Sequence, residues 1–358
     1  MRKFAFVLVI IPILSFAAVP SLPVPDGPVP IGNARLQMGG EAVLVWYPAS
    51  KALSAGNYLS QQAAAEIQAS DGYYEQSVES IRSWTQTRTN AADDAPIAKG
   101  RYPLIIFLPG AGVFGFNYTS FSEQLASHGY VVAVIDYFSS HAPKRTYAND
   151  DFAAMENDMA RVAVDTIHSL QAMKEWGEHL DPGRLQVAGH SIGGAAAISA
   201  ARLDRDIRSS VDMDGAPFGR SLEGATRPVL VLQSKPLYSD ADLAKRGRTR
   251  EQFEKAGAES RRTWTEFTAK SGANPVYVLS VLGAGHFSFS DAPFVMPDTI
   301  TRFGGKIVDP NRGYSVITTC VLEFFEASWQ DKAQPPAMRK CVAFPELVSS
   351  LAAKQDTK

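Results

Sequence analysis

Leu185-Gln186-Val187-Ala188-Gly189-His190-Ser191-Ile192-Gly193-Gly194-Ala195-Ala196-Ala197 decides how the rest of the chain is read. A short apolar run precedes a serine bracketed by glycines, and small residues follow it. That order spells strand, sharp turn, helix. Gly189-His190-Ser191-Ile192-Gly193 matches G-x-S-x-G, the turn that projects a serine hydroxyl from a strained corner. The two glycines have a physical task, because strand and helix pass closely there and a Cβ at either position would clash. The pentapeptide alone occurs by chance in Gly/Ala-rich proteins. Its local context gives it weight.

Working outward, the same alternation recurs. Leu104-Ile105-Ile106-Phe107-Leu108 and Tyr130-Val131-Val132-Ala133-Val134-Ile135 are uninterrupted apolar runs, as expected of strands covered on both faces. Ser120 to Ser127 between them reads as a helix. Asp151 to Trp176 reads as one long helix, with Met155, Met159, Val162, Ile167 and Leu170 at helical spacing. Asp181-Pro182-Gly183 marks a turn into the serine-bearing strand. Beyond it come strands at 209–214, 228–233 and 275–282. A charged, mostly helical stretch (239–270) and a closing helix from Tyr314 to Trp329 complete the pattern. Before it, Glu41 to Pro48 reads as a strand, and 58–70 and Val78 to Trp84 as helices. The fold class is α/β, with a mostly parallel central sheet covered by helices on both faces.

A serine hydroxyl is a weak nucleophile and needs a base. Histidine suits because its pKa lies near neutrality. His286, directly beyond the last core strand, is the leading base, since function in open α/β sheets gathers at the carboxyl ends of strands. His141, in a Ser/Pro loop, is a weaker alternative. His128, His168 and His179 read as surface or structural, and His190 should point away from the reaction. The acid that orients the base should also follow a strand. Asp214 and the reserve candidate Asp240 both qualify by position, and both keep the order Ser, Asp, His. Spacing does not choose between them, whereas Asp212 falls within a strand. Backbone N–H groups at Ala111, in Pro109-Gly110-Ala111-Gly112-Val113, and at Ile192 are the expected oxyanion donors.

These segments resemble the α/β-hydrolase group containing the plasma or lipoprotein type of platelet-activating-factor acetylhydrolase and its bacterial relatives. The resemblance rests on Tyr102 to Gly110, Leu125-Ala126-Ser127-His128-Gly129-Tyr130, Gly189 to Gly194, Val211-Asp212-Met213-Asp214-Gly215 and the His286 loop. It implies Asp214 as the acid, Ala111 and Ile192 as oxyanion donors, and hydrolysis of carboxylic esters, including short-acyl lipid esters. The chain departs from the group at Pro109, where His often stands, and over 51–100 and 287–313. Serine at 191 argues against dienelactone chemistry, which typically uses cysteine. An amidase, a peptidase or a polyester hydrolase could use the same three residues, and a non-catalytic binding protein of this fold is the contrasting reading.

The remaining features bound these expectations. A formal charge of −2 and no long basic run give no reason to expect a nucleic-acid partner. No nucleotide P-loop, HExxH or Cys/His cluster occurs, so neither cofactor nor metal is expected. Arg2 and Lys3, an apolar run from Phe4 to Leu14 and small residues at 15–18 have the order of an export signal. An uncleaved anchor is the alternative. Residues 1–18 are therefore expected to be a signal peptide and 19–358 one domain, secreted or periplasmic, with no transmembrane segment in the mature chain. An exported location makes a Cys320–Cys341 disulfide plausible, against two free buried cysteines. The apolar loop 287–298 reads as packing in the cleft wall, with weak contact to a lipid surface as the rival.

Overall fold

Alternate residues of the apolar run at 104–108 face opposite sides of a sheet, and both sides are covered. This is seen in a computed structural model that describes residues 19–69, 76–139, 151–297, 309–329 and 338–349. The described strands are β1 (Ile31–Met38), β2 (Glu41–Pro48), β3 (Ala92–Asp93), β4 (Tyr102–Leu108), β5 (Val131–Ile135), β6 (Leu180–His190), β7 (Ile207–Met213), β8 (Val229–Lys235), β9 (Val276–Leu282) and β10 (Leu347–Ser349). They form one sheet in the order β10-β9-β8-β7-β6-β4-β5-β2-β1-β3. From β5 to β9 the neighbours are parallel. β2 joins β5, β1 joins β2 and β10 joins β9 in antiparallel pairs.

Helices α1 (Gln61–Ala69) and α2 (Val78–Gln86) precede the parallel part. They are followed by α3 (Thr119–Ser127), α4 (Phe152–Ala172), α5 (Lys174–Gly177), α6 (Ile192–Leu203), α7 (Asp240–Lys245), α8 (Arg250–Lys270), α9 (Ala292–Val295), α10 (Pro310–Ala327) and α11 (Arg339–Val342). Leu104, Ile106 and Leu108 pack with α4 and α6 through Met159, Ala163, Ile167, Ala196 and Ala200. Ile105 and Phe107 lie in the opposite layer with Phe121 and Leu125 of α3 and Val321, Phe324 and Phe325 of α10. Burying a side chain of this size stabilises by about 1.5–3 kcal/mol. A polar residue at any of these strand positions would therefore leave an unsatisfied group inside a layer.

The structure corrects three local expectations. The helix expected over 151–176 is broken at Met173, whose backbone is extended (φ −71, ψ 121), giving α4 and α5. Asp181-Pro182-Gly183 does not precede the serine strand but bulges within it. The pairing of β4 with β6 jumps from Tyr102–Leu180 to Leu104–Leu185, and the Gly183 N–H donates to Asp181 Oδ1 at 2.9 Å. Strand β1 and the edge strands β3 and β10 have no counterpart in the sequence reading. Their alternation is short or half-polar, as is usual where one side of a strand meets solvent.

Cys320 and Cys341 form a disulfide that ties α11 to α10. The N-terminal helices have a core of their own. Tyr58, Leu59, Ile67, Ile81 and Trp84 pack against Phe116, Ala292, Val295 and Met296. Much of the apolar loop after β9 is thus interior, with Phe289 3% exposed, and its hydrophobicity serves packing. Trp84 Nε1–H donates to the Val295 carbonyl at 3.0 Å, and the Asp291 N–H donates to the Asn117 carbonyl at 2.6 Å. The segment carrying His286 is therefore held from two sides. No helix among the described residues is long and apolar enough to cross a membrane. Residues 1–18, which include the expected export signal, lie outside the described residues.

Candidate active site

Ser191 stands between β6 and α6 with φ 57 and ψ −125, a conformation an L-residue holds only under constraint. The constraint is visible. The Ser191 N–H donates to the Met213 carbonyl at 2.8 Å, and its carbonyl accepts from the Gly194 N–H at 2.9 Å. A Cβ on Gly189 would lie 2.1 Å from the Gly193 carbonyl oxygen, and one on Gly193 would lie 2.1 Å from that of Leu108. The ends of β4 and β6 and the start of α6 touch at backbone level, so both positions require glycine.

Asp214 follows the last residue of β7, also at positive φ (56). Its N–H donates to the Leu232 carbonyl at 2.7 Å, and its Oδ1 accepts from the Ser234 N–H at 2.6 Å. Oδ2 lies 2.7 Å from His286 Nδ1. Burial pushes the Asp214 carboxyl up. The hydrogen bond and charge of His286 and the Ser234 N–H outweigh that effect and hold it below the usual carboxylate value. His286 starts a single helical turn (His286–Phe289) beyond β9, and its side chain is 44% exposed against 13% for Asp214. The imidazole is therefore partly open to solvent while the carboxylate beside it is sheltered.

Asp240 lies elsewhere. It starts α7, its side chain is 83% exposed, and it accepts from Arg250 Nε at 2.9 Å. The structure thus brings Asp214, not Asp240, to His286. Three of the other histidines have plain partners: His128 with Asp26 at 2.8 Å, His168 with Asp204 at 3.2 Å and His179 with the Gly100 carbonyl at 3.2 Å. His141 lies outside the described residues.

Gly110 abuts Ser191 from the end of β4; a Cβ there would be 3.3 Å from that of Ser191. The backbone then turns, with Gly112 at φ 70 and the Val113 N–H on the Gly110 carbonyl at 3.0 Å. The Gly110 N–H is committed to the phenol oxygen of Tyr118 (Oη) at 3.0 Å, which leaves Ala111, exposed at the tip, as the next N–H along. Ile192 begins α6, so its N–H has no intrahelical acceptor. Beyond this turn, Phe114 and Phe116 wall a cavity of about 500 Å³ that Trp46, Tyr58, Ile67 and Asp136 also line.

Two site neighbours are not assigned from the sequence: Tyr118 is not singled out, and Asp212 is set aside because it falls within a strand. Tyr118 and Asp212 are fully or almost fully buried and touch the turns just described. Asp212 Oδ1 accepts from the Gly215 N–H at 2.7 Å, while Oδ2 is buried without a hydrogen-bond partner among the described residues. Burial, aided by the charge of Asp214 and opposed by the Gly215 N–H, pushes this carboxyl up to about 8. A strand position gave no hint of that role, although an Asp inside an otherwise apolar strand was the available signal. Among the described residues, no group of three or more His, Cys, Asp or Glu side chains could hold a metal ion.

Known proteins of similar sequence point the same way as the geometry. Residues 159–335 match the family described as "Platelet-activating factor acetylhydrolase, isoform II", and residues 68–213 match chlorophyllase. A ferulic acid esterase of Streptomyces cinnamoneus superposes with a TM-score of 0.68 at 25% identity, covering 93% of this chain and 99% of that one. The fold is that of the α/β hydrolases. Platelet-activating factor acetylhydrolase of Cavia porcellus is 24% identical over 194 residues, 42% of this chain and 44% of that protein. Cutinase 1 of Thermobifida cellulosilytica is 26% identical over 137 residues, 38% of this chain and 48% of that protein. The chain spans less than half the length of these curated relatives. Within that fold the chain is related distantly to acetylhydrolases and other esterases.

Proposed function

We propose that the chain is an exported serine hydrolase of carboxylic esters, with Ser191, His286 and Asp214 as its catalytic residues. The observation that carries this reading is the 2.7 Å pairing of His286 Nδ1 with a sheltered Asp214, at the same sheet edge as the strained Ser191. The carboxylate holds the Nδ1–H tautomer, which leaves Nε2 bare to accept a proton. Ser191 Oγ loses its proton to Nε2 as it attacks the ester carbonyl. The N–H groups of Ala111 and Ile192 receive the oxyanion. His286 then protonates the departing alcohol, and a water molecule, deprotonated by the same nitrogen, releases the acid.

Kinship with acetylhydrolases supports short-acyl lipid esters as substrates, and likeness to a ferulic acid esterase adds aromatic acyl esters. The Arg2–Lys3 and apolar leader pattern supports export, to the periplasm or beyond. Turnover of p-nitrophenyl acetate and labelling by a fluorophosphonate test the mechanism. Wild type should do both, and Ser191→Ala should do neither while keeping its circular dichroism spectrum. Full turnover by Ser191→Ala would sink the assignment. A panel containing a short sn-2 glycerophospholipid and a feruloyl ester would then rank the substrate classes.

A further inference from the structure

His190 is wholly buried beside the serine, yet both of its ring nitrogens are engaged. Nε2 lies 2.9 Å from the backbone carbonyl of His286, and Nδ1 lies 2.9 Å from the Tyr118 hydroxyl. A carbonyl only accepts, so Nε2 carries the proton. Burial, reinforced by the nearby His286, pushes the His190 pKa down to about 3. The ring is therefore neutral and Nδ1 is bare, which requires the Tyr118 O–H to donate to it. The Tyr118 oxygen in turn accepts the Gly110 N–H at 3.0 Å. The bonds run in one direction, from the Gly110 N–H through the Tyr118 O–H to His190 and from its Nε2–H to His286. Each donor and acceptor is used, and such a chain strengthens its members mutually.

We infer that His190 and Tyr118 are positioning residues that lock the Gly110–Val113 turn to the His286 turn, so that the proposed oxyanion donors and the base keep one relative geometry. The inference rests on the reading of Ser191 and His286 above. Three further facts support it. The His190 and His286 rings lie 4.6 Å apart between centroids, so displacement of one displaces the other. A Cβ on Gly110 would come within 3.0 Å of His190 Nδ1, so the turn is seated directly on the ring. The Gly110 N–H is committed to the Tyr118 hydroxyl, so Ala111, exposed at the tip, supplies the next N–H along the turn. Both act through the groups they hold.

The test uses wild type, Tyr118→Phe, His190→Gln and His190→Phe, with p-nitrophenyl acetate kinetics, thermal melting and ¹⁵N spectra of the histidine rings. Tyr118→Phe keeps the ring shape. It should lower kcat about tenfold or more, since small misplacements of reacting groups are costly, and should leave KM within about twofold; Tm should fall by several degrees, because the Gly110 N–H and His190 Nδ1 lose a buried partner. His190→Gln can still donate to the His286 carbonyl and accept from Tyr118, so it should retain most of kcat, whereas His190→Phe should lose it. The spectra should show His190 protonated at Nε2 and bare at Nδ1. A Tyr118→Phe kcat within about twofold of an active wild type would overturn the inference, because the relay would then hold nothing that catalysis needs. A proton on His190 Nδ1 would overturn it as well. An inert wild type that also resists fluorophosphonate would instead overturn the underlying hydrolase reading.

Discussion

Asp212→Asn is expected to stabilise the protein at neutral pH and to flatten its pH dependence. Two aspartates separated by one residue have opposite environments. Asp214 has a histidine and the Ser234 N–H to favour its charge, while Asp212 has one N–H and an unpartnered buried oxygen. The ordinary aspartate value is 3.8, and in the folded protein Asp212 rises to about 8. Between those values the folded chain binds a proton that the unfolded chain has released. Stability attributable to this group therefore falls as pH rises from about 4 to about 8 and then levels off. At pH 7 the difference amounts to roughly 4 kcal/mol at one pKa unit per 1.36 kcal/mol. Asparagine keeps the Oδ1 acceptor for the Gly215 N–H and carries no titratable proton. Its amide N–H₂ would occupy the place of the unpartnered oxygen, which costs about 1–3 kcal/mol. The net expectation is a gain of roughly 1–3 kcal/mol at pH 7, absent or reversed at pH 4. Urea unfolding of both proteins at pH 4, 5.5, 7 and 8.5 measures it. Asp291 and Glu123, raised by burial to about 8 and about 7, contribute the same sign to both proteins and cancel in the difference. Parallel stability curves would refute the reasoning, because Asp212 would then be ionised in the folded state or its cost met elsewhere.

Two further expectations follow from the site and its scaffold. Under the proposed mechanism, Asp214→Asn should lower kcat by about 10⁴ through the wrong imidazole tautomer, whereas Asp240→Asn should leave it within about twofold; ester kinetics on both variants decide between them. Replacing Cys320 and Cys341 with Ala opens a loop spanning a sequence separation of 21, so stability should fall by about 3 kcal/mol in urea titrations. Ester turnover of the folded double variant should be unchanged, because the bridge lies at the α10–α11 edge of the fold.

The parts of this fold that were legible in the sequence are those governed by local rules. The apolar runs of β4 and β5 have no polar position because both of their faces are covered, and such runs are hard to misread. The glycines at 189 and 193 are equally local, since each answers a backbone contact made by the motif itself or by the adjoining strand end. The meeting of Asp214 with His286 is of another kind. It depends on two strands that end at one edge of the sheet, and spacing in the chain left Asp240 as good a candidate. Only the pairing of β7, β8 and β9, which sets Ser234 against Asp214, carries Asp214 to His286. Tyr118 and His190 were further out of reach. Tyr118 looks like one more aromatic beside a helix, and the fate of a histidine inside the elbow depends on what fills the space beneath it. Here that space holds a phenol on one side and the His286 carbonyl on the other, 72 and 96 residues away along the chain. A motif can specify the strained turn that presents a serine. The groups that fix its surroundings are recruited by topology, and they become visible only when the sheet is assembled.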